Sequence, residues 1–88
     1  MFEWDEAKRE SNIEKHNLDF RDSTFLFDGR PIFTWLSDYP EEVRFASVGQ
    51  INNKLLTVVW TWRSDLRRII SYRSARDVEK RKYRQIHS

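Results

Sequence analysis

Hydrophobic positions change their period about a third of the way along the chain. From Ile32 onward apolar residues alternate with polar ones in four stretches, Ile32 to Leu36, Val43 to Gln50, Lys54 to Arg63 and Leu66 to Arg73, the period of strands. The links between them, "SDYPEE", "INN" and "SDL", have hairpin lengths, so the pattern predicts an antiparallel meander. Before Ile32 the spacing is helical. Phe2 to Trp4 offers an optional short extra strand, Asp5 is a good N-cap for a helix from Glu6 to about His16, and Asn17 suits a left-handed C-cap. That helix is poorly amphipathic, with only Ala7 and Ile13 apolar inside it, and must rely on caps and ion pairs such as Glu6 with Arg9. A second short helix begins at Leu18 and Asp19, carries Phe20, Thr24 and Phe27 at helical spacing, and stops at Gly29 and Pro31. After the strands, Ser74 with Asp77 reads as a capping box for a last helix whose narrow apolar stripe is Ala75, Val78 and Ile86. The expected fold is α+β in a single domain over residues 1–88: a four-stranded antiparallel sheet, two N-terminal helices and one C-terminal helix.

The last two strands raise a question of facing. "RRIISYR" has the β-branched core of a strand but an excess of guanidinium groups. A three-residue loop of Ser64, Asp65 and Leu66 would pair Arg63 with Arg67 and put the odd residues, Arg63, Arg67, Ile69, Ser71 and Arg73 among them, on one face. Leu56, Val58, Trp60, Trp62, Ile70 and Tyr72 would then form the core face, with Arg68 as the exception. On this reading the arginines lie on the side of the sheet that no helix covers. Such alternation is also what any half-solvated sheet shows. Arginines crowded on one patch repel one another, however, and a polyanion would relieve them. Arg76, Lys80 and Arg84, at four-residue spacing on the last helix, continue the same positive surface.

Composition narrows the partners. Four tryptophans, three tyrosines and six phenylalanines in 88 residues supply an ample core for one folded domain. The absence of cysteine excludes disulfides and thiolate metal sites. Without a signal-peptide pattern or a membrane-length apolar run, the expected location is cytoplasmic, with no membrane partner. Net charge is only +2, but Asp65, Asp77 and Glu79 are the only acids after Glu42, whereas most of the basic residues lie there and are arginines. The guanidinium fork suits bidentate phosphate contacts, which favours a nucleic-acid partner.

In order and along nearly the whole chain, "FEWDEAKRESNIEKHNLDF", "FLFDG", "EEVRFASVGQ", "LLTVVWTWR", "RRIISYRSA" and "EKRKY" resemble the BrnT family of toxins from bacterial type II toxin-antitoxin modules. Where that family commonly reads Ser-Ala-Arg, this chain has Ser71, Tyr72 and Arg73, a change expected to alter packing more than chemistry. The resemblance implies a RelE-like fold, a metal-independent ribonuclease that inhibits translation and growth, and a cognate BrnA-like antitoxin that carries the contact with operator DNA. Residues matching the family pattern are Lys15, His16, Arg44, Arg63, Arg73, Glu79 and Tyr83.

The chemistry follows from residue types. Lacking a carboxylate cluster for a metal, phosphodiester cleavage would use the 2′-hydroxyl of RNA as nucleophile, with no cofactor. The protein would supply cations for the phosphorane, for which Arg63 and Arg73 are the candidates, and proton transfer from among His16, Tyr83 and Glu79. Lys15, Arg44, Arg67, Arg76, Lys80 and Arg84 are the candidates for RNA binding, and no metal site is expected. An acidic segment of the antitoxin lying across Arg63, Arg67, Arg73 and Arg76 is the expected mode of inhibition, with docking on the poorly amphipathic first helix as the alternative. The alternative function is a noncatalytic nucleic-acid-binding or antitoxin-docking domain.

Overall fold

The computed structural model describes residues 1–87. In chain order it contains β1 (Phe2–Glu3), α1 (Glu6–His16), α2 (Phe20–Ser23) running into a 3-10 turn (Thr24–Phe27), β2 (Ile32–Ser37), β3 (Arg44–Ile51), β4 (Lys54–Arg63), β5 (Leu66–Ser74) and α3 (Asp77–His87). The four predicted strands are present within a residue or so of their expected ends. The extra strand is real: the sheet has five strands in the order β1-β5-β4-β3-β2. β1 pairs in parallel with β5 through Phe2↔Arg67 and Glu3↔Arg68, whereas β2 to β5 form the antiparallel meander. Because β1 is so short, β5 beyond Arg68 has no strand on its outer side among the described residues.

Local signals account for the elements. The Asp5 side chain accepts from the N–H groups of Ala7 and Lys8, and Asn17, at φ 56, closes α1 with its N–H on the Ile13 carbonyl, both as the sequence predicts. Arg9 reaches Glu6 and also Asp19, at 2.9 Å from its Nε, so the cap of α2 holds α1 as well. Asn52 and Asn53, both at positive φ, make a two-residue turn in which left-handed geometry suits asparagine. At Gly49 a Cβ would lie 2.7 Å from Leu26 Cδ2, so the missing side chain is what lets the 3-10 turn close onto the sheet.

The polar face of α1 is explained by an edge. Asn12, 6% exposed, donates through Nδ2 to the carbonyls of Tyr72 (2.7 Å) and Leu18 (2.9 Å) and accepts from the Tyr72 N–H (3.2 Å). One amide side chain thus substitutes for a neighbouring strand on β5. α1 needs little apolar surface because it docks on backbone hydrogen bonds.

The hairpin β4–β5 differs from expectation. Its turn is Ser64–Asp65, with Arg63 opposite Leu66, and the register shifts between Val59 and Trp60 so that Val59 faces Ser71 and Trp60 faces Ile69. Ile70 is the extra residue of a β-bulge. The bulge cancels the shorter turn: beyond it, Ser71 and Arg73 lie on their expected face, and Tyr72 lies on the core face at 1% exposure. Before it, facing is reversed. Arg67 pairs with Trp62 and Ile69 with Trp60 on the side of the main core, while Arg68 pairs with Thr61 on the other and ion-pairs with Glu3 of β1 at 3.0 Å.

Helices do not lie on one side only. Phe20, Leu26, Leu56, Val58, Trp60, Ile69 and Tyr72 make the main core under α2 and the 3-10 turn. α3 crosses the opposite face over β2 and β3, where Val48, Ala75 and Tyr83 form a second cluster with Phe33, Trp35 and Leu55. The expected apolar stripe of α3 faces outward at Val78 and Ile86, which are 56% and 54% exposed. The predicted Ser74–Asp77 capping box is replaced as well. Ser74 ends β5, and the Glu79 carboxylate accepts from the Arg76 N–H at 2.8 Å. His87 ends α3 and places Nε2 2.9 Å from the Ile32 carbonyl oxygen. Among the described residues no helix is long and apolar enough to cross a membrane.

Candidate nucleic-acid interface

The site is built outward from Arg73. Arg73 is opposite Thr57 of β4 and points to the α3 side of the sheet. Its Nη1 and Nη2 donate to the two carboxylate oxygens of Glu79 at 2.8 and 2.9 Å, and Nη1 also reaches the Ser74 carbonyl at 3.3 Å. Glu79 is buried, 7% exposed, and accepts in addition from Thr57 Oγ1 at 2.9 Å and from the Arg76 N–H. Burial pushes its carboxyl up, but the bonds from Arg73, the Arg76 N–H and Thr57 outweigh that and hold it down to about 2. Glu79 is therefore a fixed anion whose lone pairs are committed. Arg73 uses three of the five N–H donors of a guanidinium on Glu79 and Ser74, and the others have no hydrogen-bond partner among the described residues.

Two basic clefts lie near this pair, one at the outer edge of β5 and one where the C-terminal end of β5 meets the start of β4 and α3. One, of about 240 Å³, is lined by Lys8, Lys15 and His16 of α1 together with Ile70 and Ser71. The other, of about 250 Å³, is lined by Lys54, Ser74, Lys80 and Arg84 with Asn53 and Leu55. Ser71 and Ser74 are roughly 10 Å apart at the strand rise of ~3.3 Å per residue, with Arg73 between them. From the predicted set, Lys15 and His16 line the first cleft and Lys80 and Arg84 the second, with Arg73 between Ser71 and Ser74 on β5. Lys8 and Lys54 join them unforeseen. Lys54 arrives because the Asn52–Asn53 turn starts β4 beside Ser74, a placement that only the register reveals. Arg76 lines a separate groove with Phe33, Trp35, Val78, Glu79 and Lys82, adjoining through Glu79. Trp35 in that groove is half-buried and stacked on Phe33 at 5.5 Å.

Other predicted residues lie elsewhere. Arg63 is six positions along β4 from Thr57, roughly 20 Å from the Arg73 pairing at the same rise, so the two arginines cannot grip one phosphate. It shares Glu42 with Arg44, at 3.3 and 2.8 Å, and Arg44 lies over the Tyr39 ring at 3.6 Å from its centroid. Tyr83 is buried in the second cluster, 5.1 Å from the His87 ring. Arg67 is corrected most: it packs under the aromatic rings of Phe27, Trp60 and Trp62, at 4.0, 4.4 and 4.8 Å, on the face away from Arg73.

Among the described residues no three His, Cys, Asp or Glu side chains come together in a way that would hold a metal ion. Comparison with curated proteins brings up no match. A sequence profile described as "Ribonuclease toxin, BrnT, of type II toxin-antitoxin system" matches residues 4–79, a span that takes in Lys15, His16, Arg73 and Glu79 and stops before Lys80, Tyr83 and Arg84. A type II system implies both an antitoxin partner and, for a ribonuclease toxin, an RNA target. With most of its length matched, the chain belongs to the BrnT family of ribonuclease toxins of type II toxin-antitoxin systems.

Proposed function

We propose that this toxin is a metal-independent RNA endonuclease whose substrate runs from the α1 side of β5 to its C-terminal end, with Arg73 at the scissile phosphate. In this reading the 2′-hydroxyl oxygen bonds to phosphorus as the bond from phosphorus to the 5′-oxygen breaks. A base takes the 2′-hydroxyl proton and the leaving 5′-oxygen receives one, giving a 2′,3′-cyclic phosphate and a 5′-hydroxyl end. Arg73 stabilises the charge of the pentavalent phosphorane with the donors that Glu79 leaves free. Glu79, saturated and held near pH 2, is a weak base and serves as the positioning residue for Arg73. His16, exposed in the cleft that Ser71 and Lys15 also line, is the candidate for proton transfer. Tyr83 packs the core, and Arg63 stands outside the chemistry. Lys8, Lys15, Lys54, Lys80 and Arg84 bind the flanking phosphates.

The observation that carries this reading is the oriented Arg73–Glu79 pair between two cationic clefts. A RelE-like arrangement, a cytoplasmic location where RNA and ribosomes are found, inhibition of translation, and a BrnA-like antitoxin that alone contacts operator DNA belong to the same reading. They are supported by the family and by the β2–β5 meander with two helices before it.

The test is the chemistry of the ends. Purified toxin in EDTA is expected to leave cyclic phosphate and 5′-hydroxyl termini, and to spare a substrate whose 2′-hydroxyl at the cut is replaced by hydrogen. Activity lost in EDTA and restored by a divalent metal, or cleavage of the deoxy-substituted strand, contradicts the mechanism.

A further inference from the structure

α2 and the 3-10 turn leave one end of their side of the sheet uncovered. There Leu36, Phe45 and Trp60 form one row across β2, β3 and β4, and Trp62 with Arg67 begins the next. Leu36 and Trp62 are 68% and 49% exposed, and Val43, which lines one concavity with Leu36, is 63% exposed. Isolated exposed apolar residues are ordinary, but a contiguous set on so charged a protein marks a contact surface.

Arg67 gives that surface a chemical preference. Every other arginine that the sheet holds in a half-buried place has a carboxylate: Arg44 has Glu42, Arg68 has Glu3 and Arg73 has Glu79. Arg67 has none among the described residues. Its Nε is enclosed with no hydrogen-bond partner, and its guanidinium is boxed by the Phe27, Trp60 and Trp62 rings. Burial lowers its affinity for the proton, with no anion to offset the loss. Rings attract a cation but leave its N–H donors unused. An arriving carboxylate would gain both the charge and the donors.

RNA is the poorer fit. The concavity that holds Leu36 and Val43 offers a phosphate only one basic side chain, Arg44, which Glu42 already holds, and the cationic clefts lie by β5 at the other side of the sheet. Resting on the family's implied antitoxin and on the placement of the RNA path at β5, we propose that the antitoxin docks on the Leu36, Val43, Phe45 and Trp62 surface, through a segment that presents apolar side chains and one carboxylate to Arg67. This replaces the expected strip across Arg63, Arg67, Arg73 and Arg76, which the fold distributes over different faces.

The decisive measurement is the affinity of purified toxin variants for the antitoxin co-expressed from the same operon. Leu36 and Val43 are exposed enough that Leu36→Lys and Val43→Lys leave the fold intact, which circular dichroism checks. Together they are expected to weaken antitoxin binding by roughly 100-fold or more while the free toxin cleaves RNA at the parental rate. Arg67→Gln is expected to weaken binding about tenfold or more, through the lost charge pair. Parental affinity in the Leu36→Lys, Val43→Lys variant overturns the proposal, as does loss of RNA cleavage with antitoxin binding retained, which would make the surface an RNA platform. If the parent cleaves no RNA yet these variants lose the antitoxin, the enzymatic reading fails and the docking site stands.

Discussion

Glu79 shows how one residue couples stability to the site. Its carboxyl is held at about 2 rather than the ordinary 4.5, so it favours the folded state above the ordinary value. That contribution is lost as pH falls from about 4.5 through 2. It amounts to on the order of 2 kcal/mol once solvent screening of the partly accessible pair is allowed for. Comparing the thermal unfolding of the parent and Glu79→Gln across this range is expected to show a clear gap near neutral pH that closes on acidification. A gap that stays constant from pH 6 to pH 2 would mean that Glu79 carries no such linkage. The sequence marked Glu79 as important but not how, because its partners Thr57 and Arg73 meet it only through the pairing of β4 with β5.

At the scale of elements, the strands were legible from their alternation, and the caps of α1 from Asp5 and Asn17. Register was not. A turn shorter by one residue and a bulge longer by one residue preserve the same alternation beyond Ile70, so the faces of Ser71, Tyr72 and Arg73 could be read correctly while those of Arg67, Arg68 and Ile69 were reversed. The docking of α1 was invisible for another reason. Apolar periodicity reports burial against side chains, whereas α1 is held on β5 by the Asn12 amide against backbone. Asn12→Ala leaves the Tyr72 N–H and carbonyl unpaired, and is expected to cost about 2–3 kcal/mol of unfolding free energy. It should also raise hydrogen exchange at the outer edge of β5, where the His16 cleft lies. Unaltered exchange at Tyr72 would show that α1 is held by other contacts.

Across the whole molecule, the sheet separates functions that the sequence merges into one basic half. Cations from α1 lie at the outer edge of β5, and those from the β3–β4 turn and α3 at its C-terminal end. The far ends of β2 to β4 carry the apolar surface, and Arg63 and Arg44 are occupied there with Glu42. Arg63 and Arg73 looked equivalent as a sequence pattern because both end a strand with a guanidinium, and only their distance along β4 distinguishes them. Single-turnover RNA cleavage by Arg73→Ala and Arg63→Ala, in EDTA and with RNA affinity measured alongside, therefore tests the account most directly. The Arg73→Gln, Glu79→Gln double variant guards against a stranded buried carboxylate. The rate is expected to fall by about 100-fold or more on loss of Arg73, in either form, and by less than about tenfold on loss of Arg63. Equal losses, or parental cleavage by folded Arg73 variants, would contradict the placement of the scissile phosphate at Arg73.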